Sequence, residues 1–378
     1  MAVMTITPEA DAAPLAAGDP RLGAPLDALD TPALLLDHDA CRRNLRRMAG
    51  FFAARPAVLR PHFKNHKCVR LARLQIASGA VGMTCAKLGE AEVLVDHGID
   101  DVLIANQVVG AAKVARLVSL ARRARVAVAI DHVDQALAIS AAARAAGATV
   151  GLLIEVDIGM GRCGVQPGPD ALTLARQVLP LPGVRLEGIQ AFEGHLVNVV
   201  DRPERGRRAV EAMSRAVETR RLLEGAGVPI ARLTGCSSAT YDTTGVLDGV
   251  DEIQAGTYAT MDCQYRKLVP EFEVALTVLA RVISRPAAGR AVLDVGVKGA
   301  GGEFGPPAVP EATDATIPFF LSEEHVVIQN APDWPIGRAV QIVPSHACTT
   351  CNLHREFVVH AAGRVIDVWP IDAAGRLQ

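Results

Sequence analysis

"VAVAIDHVDQALAISAAARAAGATVGLLIEVD", residues 126–157, decides the fold. A β-rich run, "VAVAID" (126–131), leads into an Ala-rich stretch of helical period (132–146) and then into a second β-rich run, "TVGLLIEVD" (149–157). One strand–helix–strand unit follows, and such units repeat along a parallel sheet. Working outward, the same texture recurs in "AVLRPHFK" (57–64), "AVGMTC" (80–85), "DVLIAN" (101–106), "VRLEGIQAF" (184–192), "IARLTG" (230–235) and "EIQAG" (252–256). Helix candidates at 86–97, 111–123 and 205–225 lie between them. Eight strand–helix repeats over about 230 residues predict a closed (β/α)8 TIM-type barrel. A doubly wound open sheet is the alternative, but no G-x-G-x-x-G follows the first strand.

Past residue 270 the runs "EVALTVLARVISR", "GRAVLDVG", "EHVVIQN", "RAVQIVPSH" and "EFVVHAAGRVIDVWPI" are joined by turns with no convincing helix, which predicts a second, all-β domain. The expected organisation is a poorly ordered leader over 1–25, a barrel over 38–270, and a β domain made of 26–37 plus 271–378, with "PALLLDHDA" (32–40) bringing it an early strand. Lys plus Arg number 39 against 41 Asp plus Glu, so neither a nucleic-acid surface nor an acidic arm is indicated. No signal-peptide pattern opens the chain, and no apolar run approaches the roughly 20 residues that span a bilayer. A cytoplasmic protein with no membrane partner is expected. Eight cysteines in 378 residues are too few for a disulfide scaffold and are expected as free thiols or ligands.

"LRPHFKNHK" (59–67) gathers two lysines and two histidines at the C-terminal end of the first predicted strand, the face where barrel enzymes keep their chemistry. There desolvation and the neighbouring His62, His66 and Lys67 would depress the Lys64 ammonium and make it a nucleophile able to form a Schiff base. The plain alternative is a solvated cationic turn. "LTGCSSATYD" (233–242) and "QAGTYATMD" (254–262) follow the seventh and eighth strands, and the loops there commonly bind phosphate. Each alone is an ordinary turn; together with a strand-one lysine they suggest pyridoxal phosphate, which carries both an aldehyde and a phosphate.

From about residue 26 onward the chain resembles the fold-type III pyridoxal phosphate enzymes, whose barrel and C-terminal β domain are shared with alanine racemase. The closer likeness is to the D-threonine aldolase and D-serine dehydratase branch, carried by "LRPHFKNHK", "EVDIGMGRCGV", "TGCSSATYD", "EIQAGTYATMD", "LDVGVKG" and "PSHACTTCNLH". The resemblance implies that Lys64 is the Schiff-base lysine and that Arg162 approaches the cofactor ring. It implies phosphate contacts from Ser237, Ser238 and Thr240 and from the backbone of Gly256, Thr257 and Tyr258, with Gln190, Thr234, Gly235, Tyr241 and Gln254 also around the cofactor. Phe192 stands where relatives often carry a tyrosine or histidine. A homodimer is likewise implied.

His346 and Cys348, at i and i+2 on what reads as an extended segment, point to one side and could share a divalent ion. As a bare H-x-C the signal is weak; the resemblance raises it, because the aldolases and dehydratases use a metal pair here. The cysteine resembles the dehydratases and favours zinc over manganese or magnesium on softness grounds. Cys351 reads as packing. The implied reaction is cleavage of a D-β-hydroxy amino acid to glycine and an aldehyde, with the metal on the β-hydroxyl and the cofactor as electron sink. The runner-up is a dehydratase releasing a 2-oxo acid and ammonia, favoured by Cys348; a non-catalytic homologue is a third reading.

Overall fold

A computed structural model describes residues 18–318 and 322–378. Its contacts divide the chain into two units. The first to describe comprises Ala49–Lys64, Gln75–Gly256 and Arg376–Gln378; the second comprises the chain up to Met48, Asn65–Leu74 and Thr257–Gly375. In chain order the strands are β1 (Ala33–Asp37), β2 (Val58–Leu59), β3 (Met83–Cys85), β4 (Asp101–Ile104), β5 (Arg125–Ile130), β6 (Val150–Val156), β7 (Val184–Ala191), β8 (Arg232–Gly235), β9 (Glu252–Ile253), β10 (Leu276–Ala287), β11 (Arg290–Leu293), β12 (Val326–Gln329), β13 (Ala339–Ile342), β14 (Glu356–Ala361) and β15 (Arg364–Pro370). The α-helices are α1 (His38–Phe52), α2 (Val69–Ala77), α3 (Leu88–Asp96), α4 (Ala111–Ala121), α5 (Val133–Ala145), α6 (Pro169–Val178), α7 (Arg202–Gly225), α8 (Tyr265–Leu268) and α9 (Ala347–Leu353).

The first unit is the predicted barrel. Its eight parallel strands run in the order β2-β9-β8-β7-β6-β5-β4-β3. The circle closes where His62 bridges Thr84 and where Val81 and Thr84 donate to the carbonyls of Leu59 and Pro61 at 2.9 and 2.8 Å. β6 is buried along its whole length, because a barrel strand is covered by side chains inside and by helices outside. The helices supply that cover from one stripe each: α4 buries Val114, Leu117, Val118 and Leu120. α7 starts on the Asp201 carboxylate, which accepts from the Glu204 N–H, with a proline in its first turn. The first strand is shorter than the sequence suggests. Only Val58–Leu59 form regular strand; Arg60 and His62 still donate to the Ile253 and Ala255 carbonyls at 2.9 and 3.4 Å, and the chain then enters a 3-10 turn, Phe63–Asn65.

The second unit centres on a seven-stranded sheet with β1 between β10, antiparallel, and β14, parallel. The early strand β1 thus lies inside the sheet of the second unit. Leu34, Leu35 and Leu36 of β1 are all buried, each worth about 1.5–3 kcal/mol of transfer free energy. Of the expected leader, residues 1–17 lie outside the described residues, and 18–25 are held in place. Gly23 donates to the Val365 carbonyl at 2.9 Å, Pro25 bridges Arg364, and Leu22 packs on the Leu26–Leu29–Leu35 cluster. The unit is not all-β, since α9 interrupts it between β13 and β14. No described helix is long and apolar enough to cross a membrane, and all eight cysteines are free.

Candidate active site

The loops that leave the C-terminal ends of the barrel strands gather several of the predicted residues. Lys64, half-buried in the turn after β2, holds its Nζ 5.7 Å from the centre of the Phe192 ring. The Arg162 guanidinium lies 5.7 Å from the same ring centre. Phe192, reached from the end of β7, is thus a flat face approached by both cations.

Arg162 rides on the loop 157–164, which the sequence shapes tightly. Asp157 accepts from the N–H groups of Gly159 and Gly161 at 2.9 and 3.1 Å, and Asp131 accepts from Gly164 at 3.0 Å. Gly164 has φ +112°, and a Cβ there would stand 2.6 Å from the Asp157 nitrogen, so only glycine fits. The exposed Arg162 side chain lies 3.8 Å from the buried Glu155 carboxylate. Burial pushes the Glu155 carboxyl above its ordinary value, against the hydrogen bond from Gln107 and the charge of Arg162.

Polar side chains on or just past the barrel strands are bonded to one another. Gln107 donates to Glu155 at 2.6 Å, and Gln254 donates to Thr234 at 3.0 Å and to Gln190 at 3.4 Å. The loop after β8 then turns sharply, with Cys236 in the left-handed region at φ +72°. Ser237 and Ser238 are buried there. The Ser237 N–H donates to the Thr240 hydroxyl at 3.2 Å, and that hydroxyl donates to Glu193 at 2.5 Å. Thr240 therefore spends its hydroxyl inside the loop. Tyr241 packs its ring edge-on against Phe51 at 4.8 Å. Gly235 ends β8 and Gly256 follows β9. Thr257 and Tyr258 open a 3-10 turn in the second unit, where the Tyr258 ring meets Phe272 at 5.9 Å.

The two histidines flanking Lys64 act on the backbone. His62 accepts the Lys64 N–H at 3.4 Å, and His66, fully buried, accepts the Cys68 N–H at 3.2 Å, each at Nδ1. The sequence missed His195, three residues past Phe192. Its ring lies against Gly159, where a Cβ would come within 3.4 Å, and its Nδ1 has no hydrogen-bond partner among the described residues. Burial holds this imidazole below its ordinary value; Arg208 and Arg215 add to the effect and Asp157 opposes it.

Pyridoxal phosphate asks for an amine to take its aldehyde, donors for a dianionic phosphate and a face for its ring. Lys64, the Gly-Cys-Ser-Ser turn after β8 and Phe192 are that donor set, so the barrel residues fit the group.

In the second unit, His346 and Cys348 do not alternate along an extended segment. His346 is the N-cap of α9 and Cys348 lies in its first turn. The reason is Asp262, fully buried, whose Oδ2 takes the Ala347 N–H and the His346 Nδ1, both at 3.0 Å. Its Oδ1 accepts from Tyr265 N–H at 2.8 Å. His346 and Cys348 still converge, as hydrogen-bonding partners of each other. Asn65 holds the cysteine from another side, with its Nδ2 3.8 Å from Sγ while its oxygen accepts from Thr260 at 2.9 Å. Burial disfavours the imidazolium, but the Cys348 thiolate and Asp262 outweigh it and push His346 up to about 11. With Nδ1 engaged by a carboxylate, Nε2 is the nitrogen left for a ligand, the arrangement that metal-binding histidines use. Among the described residues no group of three or more His, Cys, Asp or Glu that could hold a metal ion is found. Asp262 and Asn65 were present in the quoted motifs, but no spacing rule marks a residue that acts through its neighbour.

Residues 36–264 match the family model of the alanine racemase N-terminal domain, and 275–360 that of a putative serine dehydratase domain. The chain is 39% identical over 365 residues to a D-threonine aldolase of Arthrobacter sp., covering 93% of this chain and 95% of that protein. The crystal structure of D-threonine aldolase from Filomicrobium marinum superposes with a TM-score of 0.89 at 40% identity, covering 95% of this chain and 99% of that one. D-threo-3-hydroxyaspartate dehydratase from Delftia sp. HT23 superposes with a TM-score of 0.84 at 29% identity over 92% and 98% of the two chains. This chain therefore belongs to the alanine racemase-like, fold-type III pyridoxal phosphate enzymes, in the branch of D-threonine aldolase and D-serine dehydratase-like proteins.

Proposed function

We propose that the protein is a pyridoxal phosphate- and divalent metal-dependent lyase that cleaves D-β-hydroxy amino acids, of the D-threonine or 3-hydroxy-D-aspartate type, to glycine and an aldehyde. The observation that carries it is the approach of Lys64 and Arg162 to the Phe192 ring at the barrel mouth; the second unit, taken by itself, carries a His346–Cys348 pair pinned by Asp262. When bound, the cofactor supplies an electron sink and the ion, zinc before manganese or magnesium, supplies a Lewis acid.

The chain's own residues then divide the work. Lys64 would offer its amine to the aldehyde and, once freed by substrate, would supply the proton that the α-carbon gains on cleavage and take it back in the reverse condensation. Phe192 and Arg162 orient the ring, and Ser237, Ser238 and the Gly235 and Gly256 turns receive the phosphate. His62 and His66, with their Nδ1 atoms on backbone N–H groups, shape the turn that presents Lys64. His346 through Nε2 and Cys348 through Sγ would hold the ion, and Asp262 fixes which imidazole nitrogen faces it. His195, kept neutral by burial and with Nδ1 unpartnered in the structure, is suited to receive the β-hydroxyl proton. Free thiols throughout favour a cytoplasmic location, and a homodimer is the working assembly in this reading.

A second reading, favoured by Cys348 in place of a carboxylate, is a dehydratase that yields a 2-oxo acid and ammonia. The test offers purified protein D-threonine and 3-hydroxy-D-aspartate, and separately glycine with glyoxylate. Glycine with aldehyde in the first case, and condensation to a D-configured product in the second, support the aldolase. Ammonia and a 2-oxo acid without condensation sink it and promote the dehydratase.

A further inference from the structure

The loop Cys236–Thr244 rests on two buried charged side chains that the reaction does not use. Arg205, in the first turns of α7, is 1% exposed. Its Nε donates to the Ala239 carbonyl at 3.0 Å, while its Nη1 donates to the carbonyls of Val199 and Val200 at 2.8 and 3.0 Å. One guanidinium thus ties the end of the loop after β7 to the middle of the loop after β8. Glu193 is 0% exposed and accepts at Oε1 from the hydroxyls of Thr240 and Thr244, at 2.5 and 2.9 Å. The Cys236 N–H also stabilises this carboxylate.

We propose that Arg205 and Glu193 are positioning residues that hold the loop after β8 in the shape that selects a phosphate-bearing cofactor, a role that rests on the pyridoxal phosphate reading above. Three observations converge. Cys236 is a side-chain-bearing residue in the left-handed region, a conformation that costs free energy and persists only where the surroundings over-determine it. The loop's own polar atoms are committed: Thr240 N–H to the Ser237 carbonyl at 3.2 Å, Ala239 N–H to the Ser237 hydroxyl at 3.1 Å, and Ser237 N–H to Thr240. Lastly, the buried Arg205 guanidinium reaches the carbonyls of both loops, Ala239 on one side and Val199 and Val200 on the other, and so fixes one loop against the other. Burial pushes the Glu193 carboxyl up, against the hydrogen bonds from Thr240 and Thr244.

The test measures the affinity of the full chain for pyridoxal 5′-phosphate and for pyridoxal, which lacks the phosphate, by the absorbance change on binding. Arg205→Lys keeps the charge but cannot reach both loops, and Thr244→Val removes one hydroxyl from Glu193 without touching the phosphate; circular dichroism checks that each is folded. The ratio of the two affinities should fall about ten- to hundredfold in Arg205→Lys, the scale of hydrogen bonds to a charged group, and severalfold in Thr244→Val, with pyridoxal affinity held within about twofold. Loss of affinity for both compounds alike, or a wild-type ratio in the folded variants, overturns the positioning role; should Arg205→Lys not fold, an unchanged ratio in Thr244→Val is enough to do so. A wild type that does not prefer pyridoxal 5′-phosphate overturns the cofactor reading itself.

Discussion

The two ends of the barrel are built on opposite electrostatic plans. At the N-terminal face, a ring of alternating charges closes on itself. Arg60 meets Asp101 at 2.7 Å and Glu252 at 3.0 Å, Arg232 meets Glu252 at 3.1 Å and Glu187 at 2.6 Å, and Arg125 meets Asp101 at 3.2 Å and Glu187 at 3.9 Å. Glycines clear the space: a Cβ on Gly82 would stand 2.3 Å from Arg60 Nη1, and one on Gly151 would stand 2.6 Å from Glu187 Oε1. At the C-terminal face, by contrast, Lys64 and Arg162 converge on a neutral ring, and His195 leaves a nitrogen unpartnered. The floor spends its charges on one another, whereas the mouth sets two cations against an aromatic face.

Substitutions should therefore separate the two ends. The largest effect is expected at the mouth, where Lys64→Ala should lower kcat on the order of 10³-fold or more and abolish a borohydride-reducible adduct, with an unchanged urea midpoint. A surviving adduct would move the nucleophile elsewhere, with Lys67 the first suspect. His346→Ala and Cys348→Ala should each cost several kcal/mol of transition-state stabilisation, while pyridoxal phosphate still binds. Asp262→Asn should weaken metal affinity roughly 10–100-fold, measured by competition with a chelator. Wild-type activity in the two ligand variants would remove the ion from the mechanism.

At the floor, Arg232→Met should cost about 3 kcal/mol of stability by urea unfolding, because it strands the buried Glu187 and Glu252, yet leave KM unaltered. Arg125→Ala, whose side chain is 58% exposed, should cost below about 1 kcal/mol. A floor variant that lost activity before stability would break the comparison.

The smallest effect is a pH dependence. Burial is the first cause holding His195, His354 and His360 below their usual 6.5. The unfolded chain then binds protons first on acidification, so the stability these residues contribute is whole above pH 6.5 and is lost as the pH falls toward their folded values. In kcat/KM, the acid limb that belongs to His195 should likewise lie below pH 6.5 and vanish in His195→Gln. A limb unmoved by that substitution would assign the proton to another group.

The barrel was legible because its signal is local. Runs such as 126–131 and 149–157 alternate with helix-period segments, and each is read within about ten residues. The partners of the 26–37 segment lie far along the chain, where β1 pairs with β10 and β14. The short first strand was not legible, since its extent is set by partners across the barrel, in β9 and β3, and not within the run 57–64. Lys64, Arg162, His346 and Cys348 were named from motifs, whereas the reading of His346 and Cys348 as an alternating strand pair was overturned by α9. A carboxylate 84 residues away, Asp262, bonds both the His346 ring and the Ala347 N–H and so caps that helix.

By itself, then, the sequence determined the order of strands and helices, the lysine turn and the residue types available for a cofactor and an ion, because periodicity and motif are properties of neighbouring residues. Only the tertiary structure decided which polar groups are spent and which remain open. Thr240 is committed to Glu193, His66 to the Cys68 N–H and Arg205 to carbonyls of two loops, while His195 keeps its Nδ1. The physical reason is that a buried donor or acceptor must find its partner wherever the fold brings one, and such partners are set by packing across the barrel and not by distance along the chain.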